Sequence, residues 1–191
     1  MAKTPEEILE EARKLIGTET KPVPMRYPVE YDPIRRYCHM NDDTNPLFLD
    51  PEYAKKTKYG EVICPPLFIG IAGGSGPWPP PKENAPTLPP VPTPGDRSIN
   101  LTTEWEFFKP VKVGDRLWSK SRIADVYILS IRLDPQAFWT LTERIITNQD
   151  NEVVAIGRNL GLKHRTPEQI KAAGGQKEAP VWYATKFTGK M

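Results

Sequence analysis

The chain has 191 residues, enough for one well-buried core with extensions. Lys and Arg total 26 against 24 Asp and Glu, and with 38% hydrophobic residues the balance leaves no electrostatic footprint for nucleic acid or a membrane surface. Two cysteines, Cys38 and Cys64, make no disulfide framework, the first residues lack an apolar leader, and no stretch approaches the roughly 18 apolar residues of a bilayer span, so a reducing, cytoplasmic setting is expected.

Thr4, Pro5 and Glu7 read as N-cap, first helical position and capping-box partner, and the stripe Ile8, Leu9, Ala12, Leu15, Ile16 predicts a helix from about Pro5 to Ile16. Asp32-Pro33 repeats the start signal for a shorter helix through Ile34, Tyr37 and Cys38, ending near the turn-forming run NDDTNP. Asp50-Pro51 opens a third, reaching about Lys55. EVICPP then reads as a short strand halted by Pro65 and Pro66, and LFIGIA as the start of a buried central helix.

Between Pro77 and Pro94 nine of eighteen residues are proline, which excludes regular helix or central strand and predicts polyproline or turns laid over a surface. The second half alternates and is β-branched: INLTTEWEFF, RLWSKSRIADVYILSIRL, FWTLTERIIT and VVAIGRNLGLKHR predict four long strands. Lys109 to Asp115 makes one connection and Asn148 to Asn151 a hairpin turn. The order of elements predicts an α+β fold with an antiparallel sheet. The tail from Thr166 to Met191 shows only a short helix signal after Pro167.

Several site chemistries are excluded by spacing. Cys38, Cys64, His39 and His164 lack zinc-type intervals, so no metal is expected. GGSGP has Pro77 where a nucleophile elbow needs glycine, and no glycine-rich stretch fits a phosphate loop or a dinucleotide fold.

The stretch RYCHMNDDTNPLFLDPEYAKKTKYGEVICPP resembles the signature of MaoC-like hydratases and dehydratases, which is Asp, any residue, Asn-Pro, an aliphatic residue and His. Asp43, Asn45, Pro46 and Leu47 match, whereas Phe48 stands where the family has its catalytic histidine. EFFKPVKVGDRL and ERIITNQDNEVVA are similar to further family segments, and EEARKLIGT, ICPP and GPWPP bring the likeness nearest to the non-catalytic half of two-part hydratases acting on steroid side-chain acyl-CoAs.

The resemblance implies a hot-dog fold, a curved antiparallel sheet wrapped around a central helix. One domain over residues 1–191 is expected, with its core at about 24–165, an insertion at about 77–94 and a tail at 166–191. The implied reaction adds water to a 2-enoyl-CoA, with an Asp and a His handling protons and amides at the start of the central helix holding the thioester oxygen. No cofactor is called for beyond the CoA thioester substrate. Asp43 and Asn45 are the candidate, vestigial catalytic residues, and Phe48, Leu67, Phe68 and Gly70 the candidate acyl-contact residues.

Phe48 cannot transfer a proton, and Pro65 and Pro66 have no N–H to offer an oxyanion. The resemblance therefore implies a subunit that shapes the acyl pocket while a catalytic MaoC-like partner supplies the Asp/His pair. Two alternatives stay open: a homo-oligomeric (R)-specific hydratase or hydroxyacyl dehydratase with an atypical site, and a non-enzymatic scaffold docking an aldolase or thiolase. Asp43 and Asn45 also have a plain reading as turn and capping residues.

Overall fold

A computed structural model describes residues 3–71 and 86–174. Five helices run in chain order as α1 (Pro5–Arg13), α2 (Tyr31–Met40), α3 (Pro46–Leu49), α4 (Pro51–Lys55) and α5 (Pro167–Ala172). Five strands, β1 (Val23–Pro24), β2 (Arg97–Phe107), β3 (Trp118–Ile131), β4 (Asp134–Thr147) and β5 (Val153–His164), form one antiparallel sheet in the order β1-β3-β4-β5-β2. This is the predicted α+β architecture.

The start signals act as the sequence implies. Thr4 and Glu7 close a capping box on α1, and Asp50 accepts from the amides of Glu52 and Tyr53 at the start of α4. Helix α1 ends at Arg13, three residues before Ile16, because the chain must turn through Gly17 (φ 87°), whose amide donates to Ile123 O of β3. Asp32 does not cap α2; its carboxylate pairs with Arg35 and Arg36 along the helix surface. A second capping box, Thr166 with Gln169, opens α5, and Ile170 anchors it in the interior.

Two expectations change. EVICPP forms no strand: only Ile63 bridges to Lys112, with the Cys64 amide on Val111 O at 2.6 Å. LFIGIA begins not an α-helix but a 3-10 helix, Pro66–Gly70, bounded by the Phe68 amide on Pro65 O and the Ile71 amide on Phe68 O. Gly73, Gly74 and Gly76 lie outside the described residues, as do 77–85 of the proline-rich run and 175–191 of the tail. The described part of that run lies over the sheet as expected, with Leu88 and Val91 packed beside α1.

The sheet has two unlike faces. On the inner one, two apolar clusters form. One gathers α2, α3, α4 and the 3-10 helix around Ile34, Phe48, Phe68, Ile146 and Ala155; the other sets α1 against Ile123, Val126, Ile128 and Phe138. On the outer face Tyr127 stacks on Trp139 with centroids 6.0 Å apart, and Glu143 is shared by Arg122 and Arg158, the latter also reaching Glu106. At one end Arg165 clamps the fully buried Asp134 with its backbone amide and guanidinium, the shortest contact being 2.6 Å.

Candidate functional site

Asp43 and Asn45 are held by the turn between α2 and α3. The Asp43 amide donates to Cys38 O at 2.9 Å, and its Oδ1 accepts from the Asn45 amide at 3.0 Å. Asn45 Oδ1 accepts from the Leu47 amide at 3.0 Å and so caps α3, with Pro46 in the first helical position. Both side chains make the bonds that their plain reading as turn and capping residues requires.

Helix α3 then drives Phe48 inward. At 8% exposure it is part of the same cluster as Phe68, Cys38 and Cys64. Phe68 is also buried and meets the Tyr37 ring edge-on at 5.3 Å, whereas Leu67 is 63% exposed. Gly70 lies under the Trp105 indole, 3.6 Å from where its Cβ would be, and its carbonyl accepts from Arg144 Nη1 at 3.2 Å. Phe48 and Phe68 thus belong to the core against the inner face of the sheet, Leu67 to the surface, and Gly70 meets Trp105 and Arg144 on that same face.

The site's electrostatics are muted. Burial, aided by the Asp43 charge, pushes the Cys38 thiol up, and burial with Cys38 nearby pushes Cys64 up, so both remain protonated and unreactive at neutral pH. Cys64 Sγ donates to Pro65 O at 3.2 Å. Neither histidine serves Asp43: His39 is exposed at the end of α2, and His164 Nδ1 lies 2.9 Å from Arg165 O.

Amide donors at the 3-10 helix are few. Pro65 and Pro66 have none, and the Phe68 amide is committed to Pro65 O at 3.0 Å. Among the described residues the Leu67 N–H is the first without a partner, which is where the sequence places the earliest possible oxyanion donor. Pro65 and Pro66 border a groove of about 270 Å³ that continues along Phe107 and Phe108. One N–H can polarise a carbonyl, but no proton-transfer pair stands beside it.

Arg144 was not singled out by sequence reasoning. Its signal lies in FWTLTERIIT, where Thr140, Thr142 and Arg144 alternate with Trp139, Leu141, Glu143 and Ile145 and look like an outward polar face. The Gly70 contact shows that this face points in.

Comparison with known proteins agrees with the fold. A family model described as FAS1-like, dehydratase domain region, matches residues 14–156. A UPF0336 protein of Thermobifida fusca is 26% identical over 130 residues, covering 66% of this chain and 82% of that protein. Among solved structures, the ChsH1-ChsH2 complex from Mycobacterium tuberculosis superposes with a TM-score of 0.66 at 16% identity, over 85% of this chain and 97% of that one. The MaoC-like dehydratase from Rhodospirillum rubrum gives 0.53 at 17%, over 80% and 94%. No helix among the described residues is long and apolar enough to cross a membrane. The chain is a member of the family of the FAS1-like dehydratase domain region, with the hot-dog fold of MaoC-like dehydratases.

Proposed function

We propose that this chain is the pocket-shaping half of a heteromeric 2-enoyl-CoA hydratase, whose MaoC-like partner subunit supplies the Asp/His pair. The observation that carries this reading is Phe48: it occupies the histidine's place in the motif and is built into the core, while Asp43 and Asn45 are spent on the turn and cap. An aspartate alone, with an unperturbed pKa of about 3.9, is a poor proton donor at neutral pH, whereas a histidine near 6.5 serves in both directions. Loss of the histidine and of the two proline amides reduces this chain's catalytic capacity independently.

The sheet supports a partner. Strand β2 is an edge strand of eleven residues, exposed along almost its whole length and carrying Ile99, Leu101 and Phe107 with open side chains. A long uncovered edge invites strand pairing, and a paralogous hot-dog subunit would cover it. The likeness to one chain of a two-protein complex is consistent with that arrangement. The acyl group proposed is bulky, in particular polycyclic, and no cofactor enters the reaction.

The alternative is a homo-oligomeric hydratase, which the Leu67 N–H favours, since it follows the two prolines and has no hydrogen-bond partner among the described residues. Both readings meet in a single assay. The purified chain, and the chain co-expressed with a MaoC-like protein bearing an intact Asp-x-Asn-Pro-x-His motif, are tested for hydration of a long-chain 2-enoyl-CoA. Turnover by the heteromer alone supports the division of labour; comparable turnover by this chain on its own refutes it.

A further inference from the structure

The middle of the sheet's inner face is polar where a core is expected to be apolar. On β4 the inward positions run Phe138, Thr140, Thr142, Arg144, Ile146; the two ends belong to the two apolar clusters and the three between them to neither. Beside them on β5, Asn159 stands between Gly157 and Gly161. Polar residues at core positions destabilise a fold unless they serve a function, and glycine within a strand weakens it while permitting close approach. Gly157 is filled by the Trp105 ring, whereas at Gly161 the nearest atom to an added Cβ is Ile99 O at 3.3 Å. Thr140, Thr142, Asn159, Gly161 and Lys163 line a groove of about 220 Å³, and Arg144 is the next inward position of β4 beyond Thr142.

Arg144 stands out among the sheet's arginines. Arg122 and Arg158, on the outer face, share the Glu143 carboxylate. Arg144, half-buried on the inner face, donates only to Gly70 O and has no carboxylate partner among the described residues. Burial draws its pKa below the usual guanidinium value, though it stays protonated. A guanidinium fork with spare donors beside hydroxyl and amide groups matches an acceptor oxygen, a carboxylate best of all.

We propose that this inner band is a specificity site for an acyl group carrying an oxygen substituent remote from the thioester, with Arg144 pairing with that oxygen. This rests on the acyl-thioester reading above and narrows its substrate class from plain alkyl chains to oxygenated, and preferentially ω-carboxylated, acyl groups. Asn159 Nδ2 is already committed to Asn100 Oδ1 at 2.8 Å and Thr103 Oγ1 at 3.1 Å, and the Thr142 hydroxyl donates to Asn159 O at 3.5 Å, which leaves the Thr140 hydroxyl as the band's remaining donor beside the Arg144 guanidinium.

The test is calorimetric titration of the full chain, alone and in its co-expressed complex, with octanoyl-CoA and suberyl-CoA, which differ by one terminal carboxylate. The expected preference for suberyl-CoA is about tenfold or more, the scale of one hydrogen bond to a charged group, falling below about twofold in Arg144→Met. Arg144→Lys, which keeps the charge without the fork, should retain part of it. Equal affinities in the wild type, or a preference untouched by Arg144→Met, overturn the inference while leaving the acyl-CoA reading intact. Binding of neither ligand in either form overturns both. If Arg144→Met does not fold, the salt dependence of the wild-type preference decides: an ion-paired discriminator weakens as salt rises, and a preference indifferent to salt counts against Arg144.

Discussion

Placing a histidine at position 48 is the most direct attempt to restore the motif, and the structure predicts that it fails twice. Phe48 is 8% exposed, packed with Phe68, Cys64 and Ile146. Replacing it forfeits most of the roughly 1.5–3 kcal/mol of a buried aromatic, and the imidazole then lacks a hydrogen-bond partner at a further cost of about 1–3 kcal/mol. The sum is a loss of about 2.5–6 kcal/mol, which in a chain of this size lowers Tm by roughly 5–24 °C. Activity should not return, because Pro65 and Pro66 still withhold their amides and the Phe68 amide remains tied to Pro65 O. Scanning calorimetry of Phe48→His reads the first effect, and loss of enoyl-thioester absorbance reads the second. An unchanged Tm would mean that Phe48 is not in the core, and strong turnover would mean that the oxyanion site was intact throughout.

Three other outcomes follow from the geometry. Asn45→Ala removes the α3 cap and should cost about 0.5–2 kcal/mol in a denaturation titration; a larger loss of activity than of stability in the heteromer would assign Asn45 a chemical role. Asp134→Asn leaves Arg165 buried without its charge partner, at about 3–5 kcal/mol. Burial pushes the Asp134 carboxyl up, but the Arg165 side-chain and backbone hydrogen bonds, with that of Gln136, hold it below the ordinary carboxylate value. A depressed carboxylate pKa stabilises the fold above the unfolded value near 3.9, and that stabilisation is lost as pH falls through the folded value. The gap between wild type and Asp134→Asn should therefore narrow below about pH 4, and a gap constant from pH 7 to 3 contradicts the pairing. Gly95→Ala places a Cβ 2.2 Å from the His164 carbonyl carbon, a backbone clash that should destabilise by at least the roughly 1–3 kcal/mol of ordinary overpacking.

Much of this fold was written locally. Thr4-Pro5, Asn45-Pro46 and Asp50-Pro51 are signals whose capping acts within three residues, and β2, β3 and β5 follow runs of β-branched and aromatic residues. The start of β4 was not legible, because Pro135 reads as a breaker; in the sheet it falls opposite the irregularity between Leu129 and Ile131, where a missing N–H is tolerated. The type of the helix after Pro66 was also hidden, because proline at a first helical position suits an α-helix and a 3-10 helix alike. In the site, alternation could not say which face of β4 points inward. Glu143 looks as polar as Arg144, yet the first is neutralised between two outer-face arginines and the second turns toward Gly70. Only the register resolves that choice.

The central claim is that this chain lends shape and its partner lends chemistry, and paired aspartate substitutions in the heteromer test it. Steady-state hydration of a long or polycyclic 2-enoyl-CoA would be measured with Asp43→Ala in this chain, and separately with the same change at the motif aspartate of the catalytic subunit. The account predicts a few-fold loss for Asp43→Ala and a loss of about a hundredfold or more for the other, as expected of an essential acid or base. Equal abolition by both would show that the catalytic work is shared and contradict the account.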